Sequence, residues 1–440
     1  MNGQAPANGG PLLFCGARVY GPTGLSVATD VRIEDGVISA IGPGVLPAGA
    51  EIIRAEGMVL TAGFVDLRAC AREPGQEHEE DLCSLSDAAA AGGFTAVVVG
   101  PDTQPGNDDH AVTELIVRRA REYGRCELLP QGALSHRLKG ETLAPMGEMA
   151  DAGAVCFGDG DRPVTSSRMM RRALEYARGF ERPIFSHAID ADLAGAGVMH
   201  EGSWSTRLGL RGIPAAAEAI GVGRDLAVAQ LARGRLHFVR LTTRRSVELV
   251  RAAKAQGIAV TASVTPWHLT LTARMLRDYD VNLKLVAPLR TEDDRQALLE
   301  GLRDGTVDAI CSDHMPVDVA DKALEFDYAA PGAIGLQTVL PQVLGLVQTG
   351  DLTLEVALRA LVDAPRRVLG MAAAELAVGR AATLTLVDPA AEWRLDANSS
   401  RSKSRNTVLW DTALRGQAVM TLLRGRVVHR VTAGSPSQTP

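Results

Sequence analysis

The chain has 440 residues, 46% hydrophobic and 22% charged, with 46 basic against 52 acidic side chains for a net charge of −6. This composition excludes a disordered, collagen-like or coiled-coil protein and allows a large core, since a single α/β barrel alone takes up about 250 residues. The acidic balance provides no global positive field for a phosphate backbone, so nucleic acid is not an expected partner.

The start, MNGQAPANGGPLLF, lacks the basic-then-apolar pattern of a secretory signal, and no run of about 18 apolar residues follows anywhere. A cytoplasmic protein without a membrane span is expected. Residues 11–57 are rich in short β-segments and turn residues with no sustained helical period. From residue 61 to about 315, short β-type runs then alternate with Ala/Leu/Arg-rich segments of helical period, the pattern of repeated βα units. The eight runs are 61–66 (TAGFVD), 95–100 (TAVVVG), 127–132 (ELLPQG), 154–158 (AVCFG), 183–187 (PIFSH), 236–241 (LHFVRL), 258–263 (IAVTAS) and 308–312 (DAICS). Eight such units predict an α/β fold, a (β/α)₈ TIM-type barrel whose chemistry gathers at the C-terminal strand ends. Residues 377–433 return to short β-segments, which predicts one small β-sandwich domain assembled from both termini. The expected division is 1–58 and 371–440 for the β-domain and 59–370 for the barrel, with a polar loop at 398–405 and a frayed tail, TAGSPSQTP. The cysteines (Cys15, Cys70, Cys83, Cys126, Cys156, Cys311) show no CxxC spacing, which argues against a disulfide framework or a zinc knuckle.

The segment GFVDLRACAREPGQEHEED after the first run and SDHMPVDVADKALEFDYAAPGAIGLQT after the eighth, on a β-flanked barrel, resemble the dihydroorotases of the amidohydrolase superfamily. The resemblance runs through nearly the whole chain. It implies zinc held by a His-x-His pair after strand one, a carboxylate after strand four, a His after each of strands five and six, and an Asp after strand eight. The zinc lowers the pKa of a bound water that opens the cyclic amide of dihydroorotate, or serves the reverse reaction on N-carbamoyl-L-aspartate.

This sequence departs from that pattern. Where the family has Asp-x-His-x-His-x-Arg, it reads Asp66-Leu67-Arg68-Ala69-Cys70-Ala71-Arg72, so both imidazoles are absent. His187 matches the strand-five ligand, Asp313 and His314 remain after strand eight, and Asp159 in CFGDGD is the candidate strand-four carboxylate, but Arg240 stands in the strand-six histidine's place. A guanidinium stays protonated and has no lone pair, so Arg68 and Arg240 cannot ligate a cation and would repel it. Carboxylates left behind by a departed metal would be buried unpaired, and an Arg fork supplies the missing charge, so Arg68 or Arg240 is expected to pair with Asp159 or Asp313. The substrate set is altered too: Arg72 is kept, but Asp102 replaces the family's carboxylate-binding Asn and would repel the substrate. Arg72, Asp102 and His314 are thus expected as vestigial substrate-binding positions and Asp313 as a vestigial acid/base.

Two readings follow. In the first, no metal is held and the chain is a catalytically inactive dihydroorotase homologue. The resemblance to degenerate family members then implies a structural, assembly role beside an aspartate transcarbamoylase catalytic chain in pyrimidine biosynthesis, within a large hetero-oligomer in which this chain also self-associates. In the second, an active cyclic amidohydrolase holds one unconventional zinc through His187, Asp159, Asp313 and the Cys70 thiolate. A lesser variant keeps substrate binding through Arg72 without turnover.

Overall fold

The computed structural model describes residues 10–431. Eight parallel strands, Phe64–Ala69, Phe94–Val99, Glu127–Gly132, Cys156–Phe157, Ile184–Ser186, Leu236–Phe238, Val260–Val264 and Ala309–Ile310, pair in sequence order. The barrel is nearly closed, its seam joined by a bridge between Ala69 and His314 and by the Cys70 N–H donating to the His314 carbonyl at 2.8 Å. These strands read as continuous apolar runs rather than alternating ones because both of their faces are covered: FTAVVV is buried at every position. Val65, Leu67, Val98, Phe185, Ala309 and Cys311 fill the barrel interior, and Ala364, Val368 and Leu369 pack against them. Outside, amphipathic helices close a second layer. The helix His110–Tyr123, for example, starts where the Asp109 carboxylate accepts the Val112 N–H and stops at Gly124, whose left-handed backbone no β-branched residue would adopt cheaply.

The two termini build one further eight-stranded sheet, Leu12–Gly21, Gly24–Glu34, Val37–Gly42, Glu51–Arg54, Val59–Ala62, Leu384–Arg394, Ala413–Leu423 and Arg426–Arg430. It encloses its own core of Phe14, Val31, Ile38, Leu60, Leu384, Met420 and Leu422, the β-sandwich domain. The run TAGFVD therefore is not one strand. Val59–Ala62 pairs with Leu384–Arg394 in the terminal sheet, and the chain crosses into the barrel at Gly63, not at the expected boundary after residue 58. A Cβ at Gly63 would lie 2.1 Å from the Thr95 side chain, so the crossing needs a residue without one.

The polar loop 398–405 is not a free excursion. Between two strands of the terminal sheet the chain runs over the barrel's strand-one and strand-eight loops. The Ser404 hydroxyl donates to the Glu79 carbonyl at 2.8 Å, the Ser402 hydroxyl to the Glu80 carboxylate, and the Asn406 amide to the Met315 and Gly332 carbonyls at 2.9 and 3.1 Å. The expected fraying of TAGSPSQTP falls outside the described residues. Among the described residues, no helix is long and apolar enough to cross a membrane.

Candidate functional site at the barrel mouth

Strand ends converge on a closed lattice of charges. Asp161 Oδ1, beyond the fourth strand, lies 2.9 Å from Arg68 Nη2 and 2.7 Å from Arg240 Nη2, bridging the two guanidiniums. Asp313 Oδ1 lies 2.8 Å from Arg240 Nη1 and 3.8 Å from Arg68 Nε, and Asp102 Oδ1 lies 3.3 Å from Arg68 Nη1. The arginine side chains are 2% and 0% exposed, so each charge has been taken out of water and answered by carboxylates. Local backbone makes this possible. The first strand slips register against the second between Asp66 and Ala69, an irregularity of the kind that re-aims side chains at a barrel rim. Arg240 and Asp313 both hold left-handed φ angles, 60° and 47°. That conformation costs of order 1–3 kcal/mol per residue and persists only where the surroundings enforce it. Gly100 is equally required, because a Cβ there would stand 2.5 Å from Asp102 Oδ1 and 2.6 Å from Arg68 Nη1.

Burial pushes the Asp161 pKa up, but Arg68 and Arg240 outweigh it and hold the carboxyl well below the usual range. For Asp313 burial prevails over the relief from Arg240, and its pKa is raised. His187 is pushed down to about 3 by burial and then by Arg240, so its imidazole is neutral. Burial and the Asp102 charge push the Cys70 thiol well up, and its Sγ–H donates to Asp102 Oδ2 at 3.1 Å. Cys70 is therefore a thiol and not a thiolate, and it is directed to Asp102.

These residues do not fit zinc. A zinc site needs three or four lone pairs converging on one point. Here guanidinium nitrogens, which offer none, stand against the carboxylate oxygens that would have to supply them. Among the described residues, no three His, Cys, Asp or Glu side chains are grouped to hold a metal ion.

Two expected assignments change. Asp159 takes no part in the lattice: its carboxylate accepts the Leu134 and Ser135 N–H groups, each at 2.9 Å, and the Ser135 hydroxyl at 2.5 Å, pinning the loop after the third strand. The expected pairing of an arginine with Asp159 or Asp313 is met by Arg240 and Asp313 at 2.8 Å, and Asp161, two residues past Asp159 and beyond the left-handed Gly160, provides the second carboxylate. His314, expected as a vestigial substrate position, is engaged at the seam. Its Nδ1 accepts the Gly335 N–H at 3.1 Å and its Nε2 lies 3.2 Å from the buried Glu80 carboxylate. Arg72 is likewise engaged, donating to the Pro316 carbonyl at 3.0 Å and pairing with Glu79 at 2.8 Å. Ser186 donates to Asp225 at 2.7 Å. Asp161 could have been found in the sequence as the second acid of CFGDGD, whereas nothing there separates the two acids' directions.

The cavity beside His187 and Arg240 measures about 10 Å³. That is room for one water, against the roughly 300–1,000 Å³ of a typical ligand pocket.

Residues 57–246 match the family model described as Dihydro-orotase-like. A protein from Syntrophotalea carbinolica named dihydroorotase is 44% identical over 96% of this chain and 99% of its own length. A dihydroorotase from Anaeromyxobacter dehalogenans is 45% identical over 95% and 98%. Among solved structures, the L-hydantoinase (dihydropyrimidinase) of Arthrobacter aurescens shares the fold with a TM-score of 0.84 at 23% identity, covering 95% of this chain and 96% of that one. With identity of this order sustained from end to end on a nearly closed eight-stranded barrel, the chain belongs to the dihydroorotase family of the amidohydrolase superfamily.

Proposed function

We propose that this chain is a non-catalytic member of its family, a structural subunit that helps assemble an aspartate transcarbamoylase complex in the cytoplasm. The observation that carries the loss of activity is the Asp161 carboxylate bridging Arg68 and Arg240 where the resemblance expects a metal. Hydrolysis of a cyclic amide needs an activated water and a base to take its proton. Asp313, the residue left in the base position, has its Oδ1 committed to Arg240 at 2.8 Å, and the adjoining cavity of about 10 Å³ has room for about one water. Relatives named dihydroorotase support a place in pyrimidine biosynthesis. The assembly role and the transcarbamoylase partner rest on the resemblance to degenerate family members, as does self-association within a large hetero-oligomer.

The second reading, an active dihydroorotase with one zinc on His187, Asp159, Asp313 and Cys70, is favoured by the names of those relatives. Against it, Asp159 faces three other donors and Cys70 is a buried thiol. Full-length protein, purified alone and together with the transcarbamoylase, tests both readings through zinc determination, a dihydroorotase assay and sizing. The proposal expects well under one zinc per chain, no turnover with or without added zinc, and co-elution as a large complex. Stoichiometric zinc with chelator-sensitive turnover would overturn the inactive assignment, and two separately eluting proteins would overturn the assembly role.

A further inference from the structure

We propose that the helix Ala215–Ala232, on the outside of the barrel, is the seat of a second copy of this chain, the two helices packing antiparallel across a two-fold axis. The helix turns Glu218, Val222, Asp225, Leu226 and Ala229 inward. Its outward stripe, at helical spacing, is Ala216, Ile220, Gly223, Ala227 and Leu231, where a barrel helix ordinarily meets water with charged residues. Ile220 and Leu231 are 50% and 61% exposed. A Cβ on Gly223 would meet only Leu249, at 4.0 Å. Arg224 borders the stripe, but its guanidinium is folded back, 2.7 Å from the buried Asp225 and donating to the Thr165 carbonyl at 3.1 Å.

Alanine and glycine let another helix come close, and the order of large and small is self-complementary. Turned end for end about Gly223 and Arg224, the stripe sets Ile220 against the second copy's Ala227 and Leu231 against its Ala216, a bulky side chain over a small one at each contact. Parallel packing would set Ile220 on Ile220 and leave alanine facing alanine. The two ends of the helix also differ in charge. Beside the first turn, where the Asp190 N–H donates to the Ala217 carbonyl at 2.8 Å, stand Asp190, Asp192 and Glu201 against Arg211. Beyond the last turn, where Arg178 donates to the Ala232 carbonyl at 3.2 Å and Arg235 to the Glu181 carbonyl at 3.0 Å, stand Arg178, Arg182, Arg233 and Arg235 against Glu181. The neighbouring ion pairs, Arg171–Glu175 and Arg224–Asp225, use none of these side chains. Antiparallel packing lays each acidic end on a basic end, whereas parallel packing lays arginines on arginines. The proposal gives a surface to the self-association inferred above and rests on that reading. With 18 residues at about 1.5 Å each, the seam is roughly 27 Å long, short for a permanent dimer, so dissociation in the micromolar range is expected.

Sedimentation velocity of the full chain alone, from low to high micromolar concentration, is expected to show a monomer–dimer equilibrium. Ala227→Arg, which puts a charged bulk where Ile220 of the second copy would seat, should weaken it by about tenfold or more. Arg233→Glu and Asp192→Arg should each weaken the dimer, and the two together should recover most of the loss, because the new charges meet crosswise. A chain that stays monomeric throughout would overturn both the self-association and this surface. Self-association that persists in Ala227→Arg, or charge reversals whose losses simply add, would overturn the surface and leave self-association standing. Should Ala227→Arg fail to fold, the charge reversals decide.

Discussion

Arg240 has a side chain fully removed from solvent and faces Asp313 at 2.8 Å and Asp161 at 2.7 Å, so deleting it strands two carboxylates at once. Removing one partner of a buried pair costs far more than the pair's net worth, because the remaining charge keeps its desolvation penalty. Arg240→Met is therefore expected to destabilise the protein by about 3–5 kcal/mol in urea denaturation. Arg240→Met combined with Asp313→Asn should recover part of that loss, since the second change removes a charge the first left unpaired. A double variant that loses the full sum of the two single effects would show that the pairing is not energetic. The loss of ligand side chains was legible at these positions because residue type decides it: arginine cannot ligate. Which acid would answer it was not legible. Asp159 and Asp161 are chemically identical, and the left-handed turn at Gly160 sends one to the Ser135 loop and the other to the guanidiniums.

At the level of elements, all eight barrel strands could be read as apolar runs because parallel strands are buried on both faces. What the pattern concealed was the change of sheet at Gly63, where apolar residues continue on either side of a one-residue crossing. The loop 398–405 was concealed for the opposite reason. Its composition is that of a solvated connector, yet its serines and the following Asn406 tie the terminal domain across the barrel mouth through backbone carbonyls that no sequence pattern marks. Asn406 is buried, and its Oδ1 also accepts the Val317 N–H at 3.3 Å. Asn406→Ala would leave that N–H and two carbonyls without partners, at about 1–3 kcal/mol for each group kept from water. Limited proteolysis should then cut within 398–405 at least several-fold faster than in the unaltered protein. An unchanged cleavage rate would mean that the loop is held by other contacts.

For the molecule as a whole, burial has placed neutral imidazoles where acid can reach them only by unfolding. His237 is pushed down to about 3 and His268 to about 4, both by burial first, while His187 is lowered to about 3 by burial and Arg240. His237 is held by Thr261 and Ser263, and His268 by Thr265 and the Ala287 carbonyl, so neither ring is free to turn toward solvent. An unfolded chain protonates these rings near pH 6.5 and the folded one does not. As pH falls below about 6.5, the unfolded state therefore binds more protons and stability drops, until the folded pKa values are reached. Asp66 works in the other direction. Burial raises its pKa to about 7 in spite of the Ser312 hydrogen bonds, so the folded state keeps a proton that the unfolded state gives up, and its contribution grows on acidification toward the ordinary carboxylate range. His200 and His429 are lowered as well, and Glu79, Asp87, Asp159, Asp225 and Asp313 are raised like Asp66; with five imidazoles gaining a proton in the unfolded chain across this window, the melting temperature is expected to fall from pH 7 to pH 5 at constant ionic strength. His237→Gln, which keeps hydrogen-bonding capacity beside Thr261 and Ser263 but cannot titrate, should flatten that fall measurably. A melting temperature that rises on acidification, or a slope untouched in His237→Gln, would place the pH sensitivity in the carboxylates instead.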